Sequence, residues 1–540
     1  MSSPSLARLR PLCLGIAAAA ALAACGRAGD PASTAPHAAT GQVRPVTSAA
    51  VSRYAAARFA DQVSFGATPA LIDDIASKGF EGWIDAQFAL PVVPINAAPI
   101  KLDSSNSWPY ASRVLHEKNL VAPDQLRQRV TWSLSQFIVV SMRKINPYGG
   151  LQYANLLQQH ALGNYATLIE EVSLSPAMGE YLDNIQNRPT SDECRSCAPN
   201  ENYARELMQL FTVGVVKLNI DGSVQRAPDK TPLETYQQKD VQELARALTG
   251  WTYGTESFGD DQGRYEGKLV PDSWDATHDK GAKTVLGTVI PAGGNAAQDL
   301  RAAVAVLAAH PNMAPFVSIR LIQHLVTSDP TPAYITRVAS VFNNNGQGVR
   351  GDMKAVVKAI LLDPEARRGD VLGADSHAFG KMREPFLWYT GLLRGMGCTT
   401  ALKWNDGGIA NVDQMPYNPE SVFSFYAPTD RAPGSNLLAP EQRLLNASEL
   451  SNRLGGMTIN KEASAIAAGC DSAGFARAFS TSPQAFADLV SERYFRGAMP
   501  VVLRQNLIDL APEIWGDTPH EKAARLLLYA LATPYYGVIR

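Results

Sequence analysis

Apolar residues return every third or fourth position over most of the chain, the spacing that lays side chains along one side of an α-helix. On that spacing helices are predicted at 54–59 and 69–88, on either side of a Phe65-Gly66-Ala67-Thr68-Pro69 break, and at 130–140, where the run is apolar enough for a buried helix. The pattern continues at 164–171 and 177–184, split by Ser173-Leu174-Ser175-Pro176, and at 200–211 and 238–248. It returns at 299–309, 315–326, 334–342 and 353–362. Strand signals are confined to the middle of the chain. Residues 214–224 read as a hairpin turning at Asn219-Ile220-Asp221-Gly222, and 283–290 as a short strand pair. No fixed-period repeat runs through the sequence, which argues against a solenoid. The expected fold class is therefore mainly α with minor β hairpins.

The first residues follow a different pattern. Arg8 and Arg10 precede an apolar stretch, 11–24, that is too short to span a bilayer core of roughly 30 Å as a helix, which is the make-up of an export signal. The stretch ends in Leu22-Ala23-Ala24-Cys25, and this resembles the lipobox of bacterial lipoproteins. The resemblance implies cleavage before Cys25, acylation of its thiol with chains such as palmitate, and attachment to a membrane; Gly26 rather than an Asp at the next position favours the outer membrane. Residues 26–49 are mostly Ala, Thr, Ser, Pro and Gly with hardly a large apolar side chain, too little buried surface to offset the entropy of ordering them. The expected organisation is a signal peptide at 1–24, the lipidated cysteine and a flexible tether at 25–52, and a folded body at 53–540.

Composition narrows the classes of function. Of 540 residues 46% are apolar and 19% charged, and 49 basic against 51 acidic residues leave a formal charge of -2. Near-neutrality excludes the one-signed field of a basic nucleic-acid binder or an acidic tail. Of six cysteines, Cys13 leaves with the signal and Cys25 is the lipidation site, so Cys194, Cys197, Cys398 and Cys470 remain in a compartment where disulfides persist. Three pairings are possible, the simplest closing Cys194 on Cys197 and Cys398 on Cys470. A redox reading of Cys194-Arg195-Ser196-Cys197 lacks a βαβ setting, and a zinc reading lacks two further ligands.

Polar chemistry gathers between residues 200 and 283. In 200–211, Tyr203, Leu207, Leu210 and Phe211 form the apolar stripe; Glu201 and Arg205 pair on the far side, and Glu206 stands at the stripe's border, where partial desolvation would raise its proton affinity toward that of a general acid. Its plainer reading is a salt bridge to an arginine of a neighbouring helix. Asp240 opens the next helix at the border of the Val241, Leu244, Ala245, Leu248 stripe, as a base or nucleophile, or simply as the acid that suits a helix start. Glu243 and Arg246 lie opposite that stripe and read as a surface pair. Trp251, after the Gly250 stop, reads as core or as the floor of a sugar site. His278-Asp279 sits in a polar loop, able to act in acid/base chemistry or to position substrate with Arg205, Trp251 and Lys283. No second histidine stands at ligand spacing, so no metal is assigned, and no cofactor is identified. Nucleophile-elbow, Walker, dinucleotide and zincin motifs are absent.

Taken in order, Arg58-Phe59, Phe65-Gly66, Ser173 to Met178, Asn200 to Leu207, Asp240-Val241, Ala245 to Trp251, His278-Asp279, Lys283, Leu286-Gly287, Arg383-Glu384-Pro385 and Pro419 to Pro428 resemble the bacterial domain of unknown function 1800 family. The resemblance implies one folded unit, against the three or four domains that about 150 residues per domain would suggest, and an exported, often envelope-anchored protein. It implies no reaction. Members are often encoded beside an exported family similar to alkaline phosphatases and sulfatases, which suggests a partner. The chain departs from the usual pattern at Phe211, where many members have His, and at Gln237, where a capping Thr is common. Two functions are expected from this: a hydrolase of an envelope or extracellular polymer such as polysaccharide, with Glu206 as acid, Asp240 as base or nucleophile and His278-Asp279 in support, or a non-catalytic lipoprotein that binds or organises an envelope partner.

Overall fold

Among the described residues six helices start in the same way: a Ser, Thr or Asn whose side-chain oxygen accepts the backbone N–H three residues on, followed at once by proline. Thr68, Asn146, Ser175, Thr331, Ser482 and Thr518 are these caps. The cap satisfies a helix-end donor, and proline, already fixed at a helical φ, takes the position where its missing N–H costs nothing. In the computed structural model of the chain, which describes residues 51–539 apart from 103–106, 193, 255–262, 275–276, 374–378, 401–413 and 454–460, these starts recur from one end of the body to the other. The fold is mainly α, and three two-stranded antiparallel sheets are the only sheets among the described residues. The signal, Cys25 and most of the tether lie outside the described residues. From Ala49 onward the chain forms one compact unit.

Two apolar cores organise it. The larger runs from the helix Arg53–Val63 through the helices up to Met353–Leu362; the other packs the C-terminal helices Ser472–Thr481, Pro483–Tyr494, Val501–Leu510 and Pro519–Leu531 against the helix Pro385–Gly395. Pro385–Gly395 is buried on every side. Its Trp388 and Leu392 enter the C-terminal core, and its Phe386 and Leu387 join Phe65, Trp132 and Ile539. Just before it, Lys381–Met382 pairs with Val538–Ile539 at the end of the chain.

Several predicted elements are modified. The 130–140 helix is Gln125–Ser135, and its last predicted residues belong to an irregular buried turn. The 200–211 helix is one α turn, Asn202–Glu206, followed by a π-helical stretch, Leu207–Thr212, whose end is marked by the bond from the Val213 amide to the Met208 carbonyl. Gly214 then stops it with φ +71°, and a Cβ there would lie 2.8 Å from the Phe316 ring, so the stop requires glycine. The 214–224 hairpin does turn at Asn219–Gly222, with the Asn219 amide on the Ser223 carbonyl at 2.8 Å, but no strand forms; Lys217 and Val215 also bond to Leu233 and Thr235, so three segments share the pairing. The 283–290 pair is present as Lys283–Val285 with Thr288–Ile290.

Candidate functional site

Glu206 ends the α turn and opens the π-helical stretch. It is 8% exposed, and its Oε2 meets no hydrogen-bond partner among the described residues. Burial raises its proton affinity above that of an ordinary glutamate, an effect only partly opposed by Arg205. The Tyr181 and Tyr236 hydroxyls are near enough to feel its charge. Arg205 turns the other way, to Glu201 at 2.8 Å as its spacing predicted and to the Gln238 side chain at 3.1 Å.

Asp240 has both oxygens engaged in holding the backbone. Oδ2 accepts the Gln237 N–H at the helix start, and Oδ1 accepts the Leu286 N–H in the turn of the Lys283–Ile290 hairpin, each at 2.9 Å. The fold therefore gives Asp240 the helix-start role. Gln237 offers its backbone amide to this cap.

The polar loop is locked in the same region. His278 is buried, with Nδ1 2.9 Å from the Thr249 carbonyl and Nε2 3.2 Å from Asp299 Oδ2. Gly250 lets the loop come this close: it has φ +86°, and a Cβ there would meet His278 Cβ at 2.8 Å. The Lys283 ammonium is fully buried, 2.5 Å from Asp299 Oδ2 and hydrogen-bonded to the Asp279 carbonyl. Arg246, expected on the surface with Glu243, does pair with Glu243 but also forks onto Asp279 at 2.7 and 3.0 Å. Burial pushes the Asp279 carboxyl up, yet Arg246, the Gly281 amide and Lys283 outweigh it and hold the group below the ordinary aspartate range. Asp299 went unread in the sequence, although its position had a signal: an acid in the first turn of Ala296–Ala309, among the buried Ala296, Leu300 and Ala303. Trp251 is a core residue, 3% exposed, so the sugar-floor reading gives way to its plainer one.

The predicted residues thus have separate partners. Glu206 lies near tyrosines, Asp240 holds a hairpin turn, His278 and Lys283 meet Asp299 at the start of the next helix, and the Asp279 carboxylate is held by Arg246. Among the described residues no group of three or more His, Cys, Asp or Glu side chains could hold a metal ion.

A cavity of about 770 Å³ lies elsewhere, and none of those residues lines it. Phe379, Met382, Leu437, Leu438, Leu450 and Val538 supply its apolar wall. Lys381 and Met382, with Val538 from the strand paired to them, form one side; the turn Pro440–Leu444 and the helix Ala447–Ser451 contribute another. Behind it is a buried polar network. Lys381 Nζ bonds Glu384 Oε1 at 2.7 Å and the His324 carbonyl at 3.2 Å, and Arg129 donates to that same carbonyl at 2.8 Å. Glu384 Oε2 accepts from Gln414 at 2.7 Å. Glu441 Oε1 accepts the Met382 N–H at 2.9 Å and the Ser328 hydroxyl.

The charges in this network are fixed by their neighbours. Burial would raise Glu384, but Lys381, His324 and Arg129 pull it down to about 2. Burial, with Lys381 beside it, lowers His324 to about 3 and keeps it neutral. Burial raises Glu441 despite Lys381. At the cavity wall Arg453 is 3% exposed; Nε bonds Glu449 Oε1 at 2.8 Å, the guanidinium lies over Trp388 at 5.2 Å, and Nη2 has no partner among the described residues. Sequence reasoning found only one trace of this site, Arg383-Glu384-Pro385, because its walls come from four distant and mostly apolar stretches.

Both expected disulfides are present, Cys194–Cys197 and Cys398–Cys470. Among the described residues no single helix is long and apolar enough to cross a membrane. Comparison with curated proteins and comparison with solved structures each found no match. A family model does match, over residues 58–538, and by that match the chain belongs to the family described as "Protein of unknown function (DUF1800)".

Proposed function

We propose that this is an exported, lipid-anchored envelope protein whose main task is binding, and that its ligand occupies the cavity between the Lys381–Met382 strand and the 432–453 segment. The observation that carries this reading is the cavity itself: about 770 Å³, walled largely by apolar side chains with a few charged groups converging on it, which is the make-up of a small-molecule site. The alternative, a polymer hydrolase working through Glu206 and Asp240, has less behind it, since both oxygens of Asp240 already hold backbone amides. One observation favours it, the unpartnered Oε2 of Glu206. Export and anchoring are supported by the leader, by Cys25 and by two disulfides of the kind oxidising compartments preserve.

The test is binding of a neutral apolar fluorophore, N-phenyl-1-naphthylamine, by the purified protein and by Leu450→Trp, which places a larger side chain on the cavity wall. Saturable binding that the tryptophan weakens is expected; equal binding by both proteins would end the reading. A polysaccharide and ester panel run on the wild type, Glu206→Gln and Asp240→Asn decides the alternative, which requires turnover by the wild type and its loss in both variants.

A further inference from the structure

We infer that the ligand of this cavity is a single-chain amphiphile with an oxyanion head group, and that Arg453 is the residue that recognises the head. The inference rests on the binding reading above and adds a chemical class to it. Its starting point is an unmet donor. A buried guanidinium ordinarily has its N–H groups engaged, because an unsatisfied charged donor out of water costs free energy with nothing in return. Arg453 departs from this: Glu449 takes Nε at 2.8 Å, whereas Nη2 has no partner among the described residues, and the side chain stands at the wall of a large cavity. The guanidinium is a planar fork suited to two oxygens of one carboxylate or phosphate, so the group that would complete it is an oxyanion.

The surroundings limit what else that oxyanion can be attached to. Phe379, Met382, Leu437, Leu438, Leu450 and Val538 make most of the wall apolar, so an apolar chain suits the remainder of the ligand, although Thr327, Ser328, Gln442, Asn446 and Thr533 also line the cavity. Of the other cations, Lys381 is already held by Glu384 and the His324 carbonyl, so it does not compete for the head. Asp329 also stands on the wall, and burial raises its proton affinity above that of an ordinary aspartate, against the pull of a backbone hydrogen bond and of Arg431. Trp388 under the guanidinium keeps its plane fixed when the head group leaves.

The experiment compares dodecanoate, dodecyl phosphate and dodecan-1-ol as competitors for N-phenyl-1-naphthylamine, with wild type, Arg453→Gln and Glu449→Gln/Arg453→Gln. The double variant is included because Arg453→Gln alone removes the guanidinium bonded to the buried Glu449 carboxylate. In the wild type at least one of the two anions should bind about tenfold or more tighter than the alcohol, the strength of a charge-assisted hydrogen bond. Which anion wins separates a fatty-acid head from a phosphate head. In the variants that preference should vanish while the alcohol binds as before, which also shows that the cavity is intact. Equal binding of alcohol and anions by the wild type would overturn the inference and leave the binding reading standing, as would an anion preference that survives loss of Arg453. Failure of all three competitors and of the fluorophore would overturn both.

Discussion

A carboxylate with an unpartnered buried oxygen is costly, and Glu206 carries that cost unless a function requires it. Because its folded-state proton affinity is raised, the protonated form is favoured by folding: the group is harmless below the ordinary glutamate value of 4.5 and destabilises as pH rises through its higher folded value. Glu206→Gln should therefore be more stable than wild type at neutral pH, by about 1 kcal/mol, with the gap closing as pH falls toward 4.5. Thermal melts across pH 4 to 8 measure it, and a variant less stable at pH 7 would show that the charge is held by something else. His116 has the opposite sign. Burial against the rings of Phe386 and Tyr389 lowers it to about 4 although the Ser112 carbonyl accepts from its ring. The unfolded chain takes up a proton near 6.5 that the folded chain refuses, so this contribution is complete above pH 6.5 and is lost as pH falls toward 4, at about 1.4 kcal/mol per pH unit. His116→Phe should flatten the acid limb of the stability curve by that slope; an unchanged slope would place the sensitivity in other groups, such as His324.

Helices were the most legible part of the chain, and the reason is local: the stripe, the cap and the stop sit within a dozen residues of one another. The 353–362 helix is met residue for residue, as Met353–Leu362. The π-helical stretch at Leu207–Thr212 was not legible, since one extra residue per turn leaves the same apolar letters in the sequence, although Gly214, which stops it, is itself a visible stop signal. The candidate chemistry was legible as residue types and not as partners. Lys283 and His278 were visible as polar groups, but the acid between them, Asp299, lies on a helix read only as an apolar stripe. This triad ties three elements together, so Lys283→Met should cost about 3–5 kcal/mol by stranding Asp299, and Lys283→Met with Asp299→Leu should recover most of that loss. A double variant no more stable than the single would mean that the ammonium does more than balance one acid. Asp240→Ala, which removes a helix-start acceptor and the anchor of the Leu286 amide, should cost about 1–2 kcal/mol in urea titration, with Asp240→Asn costing less.

The two disulfides differ in what they enclose, and that difference connects stability to the cavity. Cys194 and Cys197 are 3 residues apart, so their bond closes a tight turn and restricts the unfolded chain little. Cys398 and Cys470 are 72 apart, and the segment between them carries Leu437, Leu438, Leu450 and Arg453, one wall of the cavity and its unmet donor. Cys398 is itself in the C-terminal core, with Cys470 packed against it, so the bond fastens both ends of that segment to the helices Ser472–Thr481 and Pro385–Gly395. On loop-closure entropy the long bridge is worth about 4 kcal/mol and the short one about 2. Cys398→Ala/Cys470→Ala should accordingly lose roughly twice the stability of Cys194→Ala/Cys197→Ala in denaturant titration. It should also weaken N-phenyl-1-naphthylamine binding under conditions where the chain is still folded, because the wall then has to be ordered by the ligand. The short-loop variant should bind as wild type does. If removal of the long bridge lowered stability and left binding unchanged, the 432–453 wall would be held by its own packing, and the disulfide would serve the C-terminal helices alone.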